Sequence, residues 1–130
     1  MRKIIVNGTF DIVHSGHLQL LSYARMLGDH LTVAIDSDAR VRSLKGSDRP
    51  VNSQEERAEL LSYLRMVDDV VVFSTDDQLR SIINRADLMV KGSDYVGKDI
   101  IGSDLIDIVF FDRINGYSTT EKIQHIINRG

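Results

Sequence analysis

Residues 7–17 read NGTFDIVHSGH and join an apolar strand to a helix. Two imidazoles three positions apart, His14 and His17, project from one face across that helix start. The free N–H groups and positive dipole end of a helix already attract anions. Imidazoles added there can donate hydrogen bonds to a phosphate whose charge grows during phosphoryl transfer. Gly16 between them leaves the backbone bare, so a bulky triphosphate can approach. Singly, each feature has a plainer explanation. Histidine pairs in surface turns are more often incidental, and Gly8 alone fits turn chemistry. Asp36 and Asp38 fit a solvated strand end, Lys45 and Arg49 a solvated loop, and Ser118 and Thr119 helix caps. Whether they act together depends on where the elements put them.

Ile4-Ile5-Val6 is a β-branched run closed by Asn7-Gly8, which predicts a buried strand ending in a turn. A helix is expected from Ser15, with His17, Leu20, Leu21, Ala24 and Leu27 on one side and Gly28 as its stop. Leu31 to Ile35 predicts a second strand, followed by acidic DSDA and a polar stretch, RSLKGSDRPVN, holding the one proline. Ser53-Gln54-Glu55-Glu56 has the form of a capping box. It opens a helix expected to turn Leu60, Leu61, Leu64 and Val67 inward. Val70 to Phe73 predicts a third strand, Asp77 to Arg85 a short helix and Leu88 to Val90 a fourth strand. A weakly patterned connection covers Gly97 to Asp104. Ile108 to Phe111 predicts a fifth strand, and Ser118-Thr119-Thr120-Glu121 begins a last helix bearing Ile123, Ile126 and Ile127.

Continuous apolar strands alternating with amphipathic helices predict a doubly wound α/β domain with a five-stranded parallel sheet, both faces covered. Such sheets bind ligands outside the carboxyl ends of their strands, where strand order reverses. The residues just past the strands are Gly8, Thr9, Phe10, Asp11, His14 and His17, then Asp36 and Asp38. Lys91, Gly92, Ser93 and Asp94 follow the fourth strand, and Arg113, Gly116, Ser118 and Thr119 the fifth. Glycines, hydroxyls and cations gathered on one rim are the inventory of a phosphate site.

The 130 residues suit a single domain spanning 1–130, with a net charge of −3 and 42% hydrophobic residues. A mildly acidic chain carries no electrostatic footprint for nucleic acid or a membrane surface. No cysteine is present, which excludes disulfides, thiol catalysis and thiolate metal sites. Two histidines without a third ligand do not make a structural zinc site, so no protein-held metal is expected. The N-terminus lacks the long apolar segment of a signal peptide, and no run reaches the roughly 18 residues of a transmembrane helix, so a cytoplasmic protein is expected. A phosphoacceptor receiver domain would need an acidic pair after the first strand and an aspartate after the third. Asn7-Gly8 and Ser74-Thr75 stand there instead.

GTFDIVHSGH resembles the H-x-G-H signature of the cytidylyltransferase-like nucleotidyltransferases, a Rossmann-like fold, and RINGYSTT resembles their C-terminal S-T-T element. LKGSDRPVNSQEER, VDDVVVF, ADLMVKGSDY and IIGSDLI are similar to the branch represented by the adenylyltransferase domain of ADP-heptose synthase. GTFD and the stretch from Arg113 to Thr120 are similar to a second branch, glycerol-3-phosphate cytidylyltransferase. The resemblance implies an enzyme joining a nucleoside triphosphate to a sugar or polyol phosphate with release of pyrophosphate. ATP with heptose 1-phosphate is the first expectation, CTP with glycerol 3-phosphate the alternative, and a non-catalytic nucleotide-binding module the lesser one. It implies that His14 and His17 contact the nucleotide phosphates, and that Gly8, Thr9 and Phe10, with Asp11 and Gly16, line the nucleotide pocket. Asp38 would lie near the acceptor or the metal, and Lys45 would clamp a phosphate from a loop. Lys91, Gly92 and Asp94 would meet the base and ribose. Arg113, Ser118 and Thr119, with Thr120 beside them, would hold the β- and γ-phosphates. Arg49 is a weaker candidate, as is Arg57, which lies in a capped helix where it can pair with nearby carboxylates. Mg²⁺ carried mainly by the triphosphate is implied, as is a homodimer, with no nucleic-acid or membrane partner.

Overall fold

In the computed structural model, residues 1–112 are described, and five strands form one parallel sheet. The elements are β1 (Lys3–Gly8), α1 (Ser15–Met26), β2 (His30–Asp36), α2 (Asp38–Lys45), α3 (Gln54–Ser62), β3 (Asp69–Phe73), α4 (Asp76–Ile83), β4 (Leu88–Gly92) and β5 (Asp107–Phe111). The expected last helix, with Arg113, Ser118, Thr119 and Thr120, lies outside the described residues. Strand order is β3-β2-β1-β4-β5, so the winding reverses between β1 and β4. There Ile4 pairs with Leu31 on one side and Leu88 on the other.

Alternate residues of the central strands feed two separate cores, which is why those strands read as unbroken apolar runs. Ile4, Val6, Val33 and Ile35 pack with Leu21 and Ala24 of α1 and Leu61 of α3. Ile5, Ala34 and Met89 pack on the other face with Leu79 and Ile83 of α4. The β4–β5 crossover has a 3₁₀ turn (Ser93–Tyr95) instead of an α-helix, and Ile100, Ile101 and Ile106 fill the space a helix would cover. Gly102 makes this possible. A Cβ there would sit 2.7 Å from Ile83 Cδ1, and its φ of 89° lies in the left-handed region.

Two features depart from the sequence expectation. The polar stretch after β2 folds as α2, capped by Ser37, whose hydroxyl accepts from the Arg40 amide. Its only buried residue is Val41, so no apolar stripe announces it. In α3, Leu61 is buried as expected but Leu60 is 48% exposed. Among the described residues no helix is long and apolar enough to cross a membrane.

Candidate active site

His14 is the N-cap of α1. Its Nδ1 accepts from the Gly16 amide at 3.1 Å, and its own amide donates to His17 Nδ1 at 3.2 Å. This is a capping box built from imidazoles instead of Ser and Glu. Because each Nδ1 is an acceptor, the neutral rings carry their proton on Nε2. The rings stack with centroids 4.0 Å apart and planes at 26°. The first turn of α1 has no acidic side chain, which leaves its dipole available to an external anion. Phe10, at φ 51°, folds its ring over Gly8 and lies 5.1 Å from the His17 ring. A Cβ on Gly8 would stand 3.1 Å from that ring, so glycine is needed here for close packing.

Next to the histidines lies a chain of polar contacts that joins α2 to β1. Thr9 donates its hydroxyl to Asp36 Oδ2 at 3.1 Å and accepts from Lys45 Nζ at 3.3 Å. Asp36 is held from behind by Arg40, whose Nε donates to Oδ1 at 2.8 Å, while Nη2 reaches Asp76 at 2.7 Å. The hydroxyl proton of Thr9 is thereby committed to Asp36, and its lone pairs face the Lys45 ammonium.

Arg57 is the structural centre of this rim at 1% exposure. Its guanidinium donates to the carbonyls of Asn52, Thr9 and Asp36 and to Asp38 Oδ1 at 2.7 Å. Asp38 thus pairs with Arg57, and among the described residues it is not part of the cavity lining. Asp11 is 3% exposed; its two oxygens accept from the Val51 and Asn52 amides, both at 2.8 Å, and from Arg49 Nε. Its carboxylate anchors the loop before α3. The pairing of Arg57 with a carboxylate is as anticipated.

The cavity at the β1/β4 switch point encloses about 500 Å³. The imidazole pair, Gly8, Thr9, Phe10, Asp11 and Gly16 line one side, with Asp36, Lys45 and Arg49. Lys91, Gly92 and Asp94 line the other, with Tyr95, Ile100 and Ile101. Lys91 is 7% exposed, its Nζ 4.5 Å from the Tyr95 ring centroid. Burial pushes its ammonium down to about 8, against the opposing pull of Asp36 and Asp94. Asp36 is named on the rim from sequence but given no role there, and Arg40 and Tyr95 are not singled out. Arg40 reaches the site only through a helix that the pattern conceals. Arg113, Ser118, Thr119 and Thr120 lie outside the described residues.

A family model described as cytidylyltransferase-like matches residues 5–125. The bifunctional protein HldE of Campylobacter concisus is 47% identical over 127 residues, 96% of this chain and 27% of that protein. HldE of Wolinella succinogenes is 47% identical over 130 residues, again 96% of this chain and 27% of the relative. The chain therefore spans about a quarter of the length of the curated relatives it matches. Among solved structures, a lipopolysaccharide core biosynthesis protein from Thermoplasma volcanium superposes with TM-score 0.74 at 24% identity, over 88% of this chain and 99% of that one. TmcAL of Thermotoga maritima, bound with alpha-thio ATP, gives TM-score 0.69 at 16% identity, over 99% of this chain and 51% of that one. At those identities the likeness is one of fold.

Proposed function

The chain belongs to the cytidylyltransferase-like family, and on that premise we propose that residues 1–130 act as one nucleotidyltransferase domain, joining ATP to heptose 1-phosphate with release of pyrophosphate. The observation that carries this reading is the imidazole pair locked at the N-terminus of α1, in one cavity with Lys45 and Lys91. The preference for ATP and a heptose rests on the stretches similar to ADP-heptose synthase and on the relatedness to HldE proteins.

In the reaction an oxygen of the acceptor phosphate attacks the α-phosphorus in line. A new P–O bond forms there as the bond to the β-phosphate breaks, and pyrophosphate leaves with the electron pair. A phosphate monoester is already an adequate nucleophile at neutral pH, so no general base is needed. Catalysis is positioning plus charge stabilisation. The Nε2–H groups of His14 and His17 donate to the phosphates. Lys45 leaves Thr9 for a phosphate oxygen, and Arg113, Ser118 and Thr119 hold the β- and γ-phosphates. Among the described residues no group of three His, Cys, Asp or Glu side chains could cage a metal ion. Both Asp36 oxygens are already engaged by Thr9 and Arg40. This donor set suits Mg²⁺ carried in on triphosphate oxygens and water. When bound, such an ion neutralises triphosphate charge. A homodimer working in the cytoplasm completes the reading.

The test is a matrix of ATP and CTP against heptose 1-phosphate and glycerol 3-phosphate, with Mg²⁺, scored by pyrophosphate release. Turnover confined to ATP with heptose 1-phosphate is expected. Turnover of CTP with glycerol 3-phosphate would replace this assignment by the cytidylyltransferase one, and nucleotide binding without turnover would leave a binding module.

A further inference from the structure

Lys91 ends the buried part of β4 at the cavity wall, 7% exposed. Among the described residues its ammonium makes no hydrogen bond and has no carboxylate within ion-pair distance. Of the two carboxylates whose charge acts on it, Asp36 already holds Thr9 and Arg40, and Asp94 makes no ion pair with it. What its Nζ does meet is the face of Tyr95, whose ring quadrupole gives part of the attraction a counter-ion would. A charge largely withdrawn from water with only a ring face beside it is costly, and folds keep such groups where something else completes them. The resemblance assigns Lys91 to base and ribose. Those groups are neutral and would leave the ammonium uncompensated. A phosphate dianion would compensate it with a charge-assisted hydrogen bond.

Resting on the reading that the cavity takes phosphorylated substrates, we propose that Lys91 receives a substrate phosphate, making the carboxyl end of β4 an anion subsite separate from the one formed by the histidines and Lys45. The phosphate can come from the nucleotide or from the acceptor. Tyr95 acts as a positioning residue that holds the ammonium in place until the anion arrives.

Wild type, Lys91→Met and Lys91→Arg are titrated calorimetrically with adenosine, with ATP plus Mg²⁺, with heptose 1-phosphate and with inorganic phosphate. Lys91→Met removes the charge at similar volume, and Lys91→Arg keeps it. At least a tenfold loss of ATP affinity in Lys91→Met, with adenosine unchanged, assigns the subsite to the triphosphate. The same loss for heptose 1-phosphate, with ATP and adenosine unchanged, assigns it to the acceptor. In either case Lys91→Arg retains most of the affinity. Equal weakening of adenosine and ATP returns Lys91 to the base and ribose and overturns the proposal. So do affinities within twofold of wild type for every ligand, and so does a wild type that binds no phosphate compound. Lys91-dependent ATP binding without pyrophosphate release from any acceptor refutes the proposed reaction and leaves the subsite standing.

Discussion

His14 and His17 share a geometry but carry different burdens. Each ring accepts one amide at Nδ1, but His14 is also the N-cap of α1 and is buried. Losing one preorganised donor typically costs about 100-fold in turnover. His17→Ala is therefore expected to lower kcat by about that factor with a far-UV CD spectrum and melting temperature close to wild type; near-normal pyrophosphate release would sink the catalytic assignment. Lys91 makes the opposite kind of prediction, one about stability. Its folded pKa of about 8 lies below the ordinary 10.5, so the folded state binds fewer protons than the unfolded state between those values. Stability from this group is lowest below pH 8 and recovers as pH rises toward 10.5. Lys91→Met should therefore melt above wild type at pH 7, with the gap closing by pH 10. A gap that stays constant across that range would mean that packing, not charge, sets the difference. The imidazole pair was legible in sequence because its contacts are local, three residues apart. The roles of Asp36 and Asp38 were not, because partners at Arg40 and Arg57 decide which carboxylate faces the cavity and which turns away.

Between elements, Arg57 is the tie that matters most. From α3 it holds the carbonyls that end β1 and β2, together with the Asp38 side chain at the start of α2. Removing its guanidinium leaves those buried acceptors and one carboxylate without a donor. Breaking a buried pair in this way costs roughly 3–5 kcal/mol. Arg57→Met is expected to lower the urea midpoint accordingly and to reduce turnover only in step with the folded fraction. A variant as stable as wild type but inactive would make Arg57 a group that touches substrate. Strands were the easiest elements to read, because a parallel sheet covered on both faces leaves apolar runs such as Ile4-Ile5-Val6 uninterrupted. Helix α2 escaped because seven of its eight residues stay out of the core and only Val41 is buried. Leu60 was placed inward from spacing alone, while α3 ends at Ser62, too early to carry a long apolar stripe across the sheet.

Across the whole molecule the two rims of the sheet are chemically opposite. At the amino rim, Asp29, Asp87 and Asp68 accept from the amides of Arg2, Lys3 and Leu31, each within 2.8 Å, which closes the backbone at the starts of β1 and β2. At the carboxyl rim the imidazoles, Lys45 and Lys91 line the cavity at the switch point. A ligand that binds only the folded state stabilises it by mass action, about 2.7 kcal/mol at 100 times Kd. For a domain of this size that raises the melting temperature by on the order of 10 °C. The location of the protection is the sharper test. ATP with Mg²⁺ should slow amide hydrogen exchange at the end of β1, the first turn of α1 and the end of β4. It should leave α4 and the amino-rim amides held by aspartates as they were beyond the common global gain. These regions separate because α4 packs on the far face and the aspartate-held amides lie at the opposite rim. Protection centred on α4 or the β3 edge would move the ligand off the switch point, and with it the chemistry assigned to the histidines.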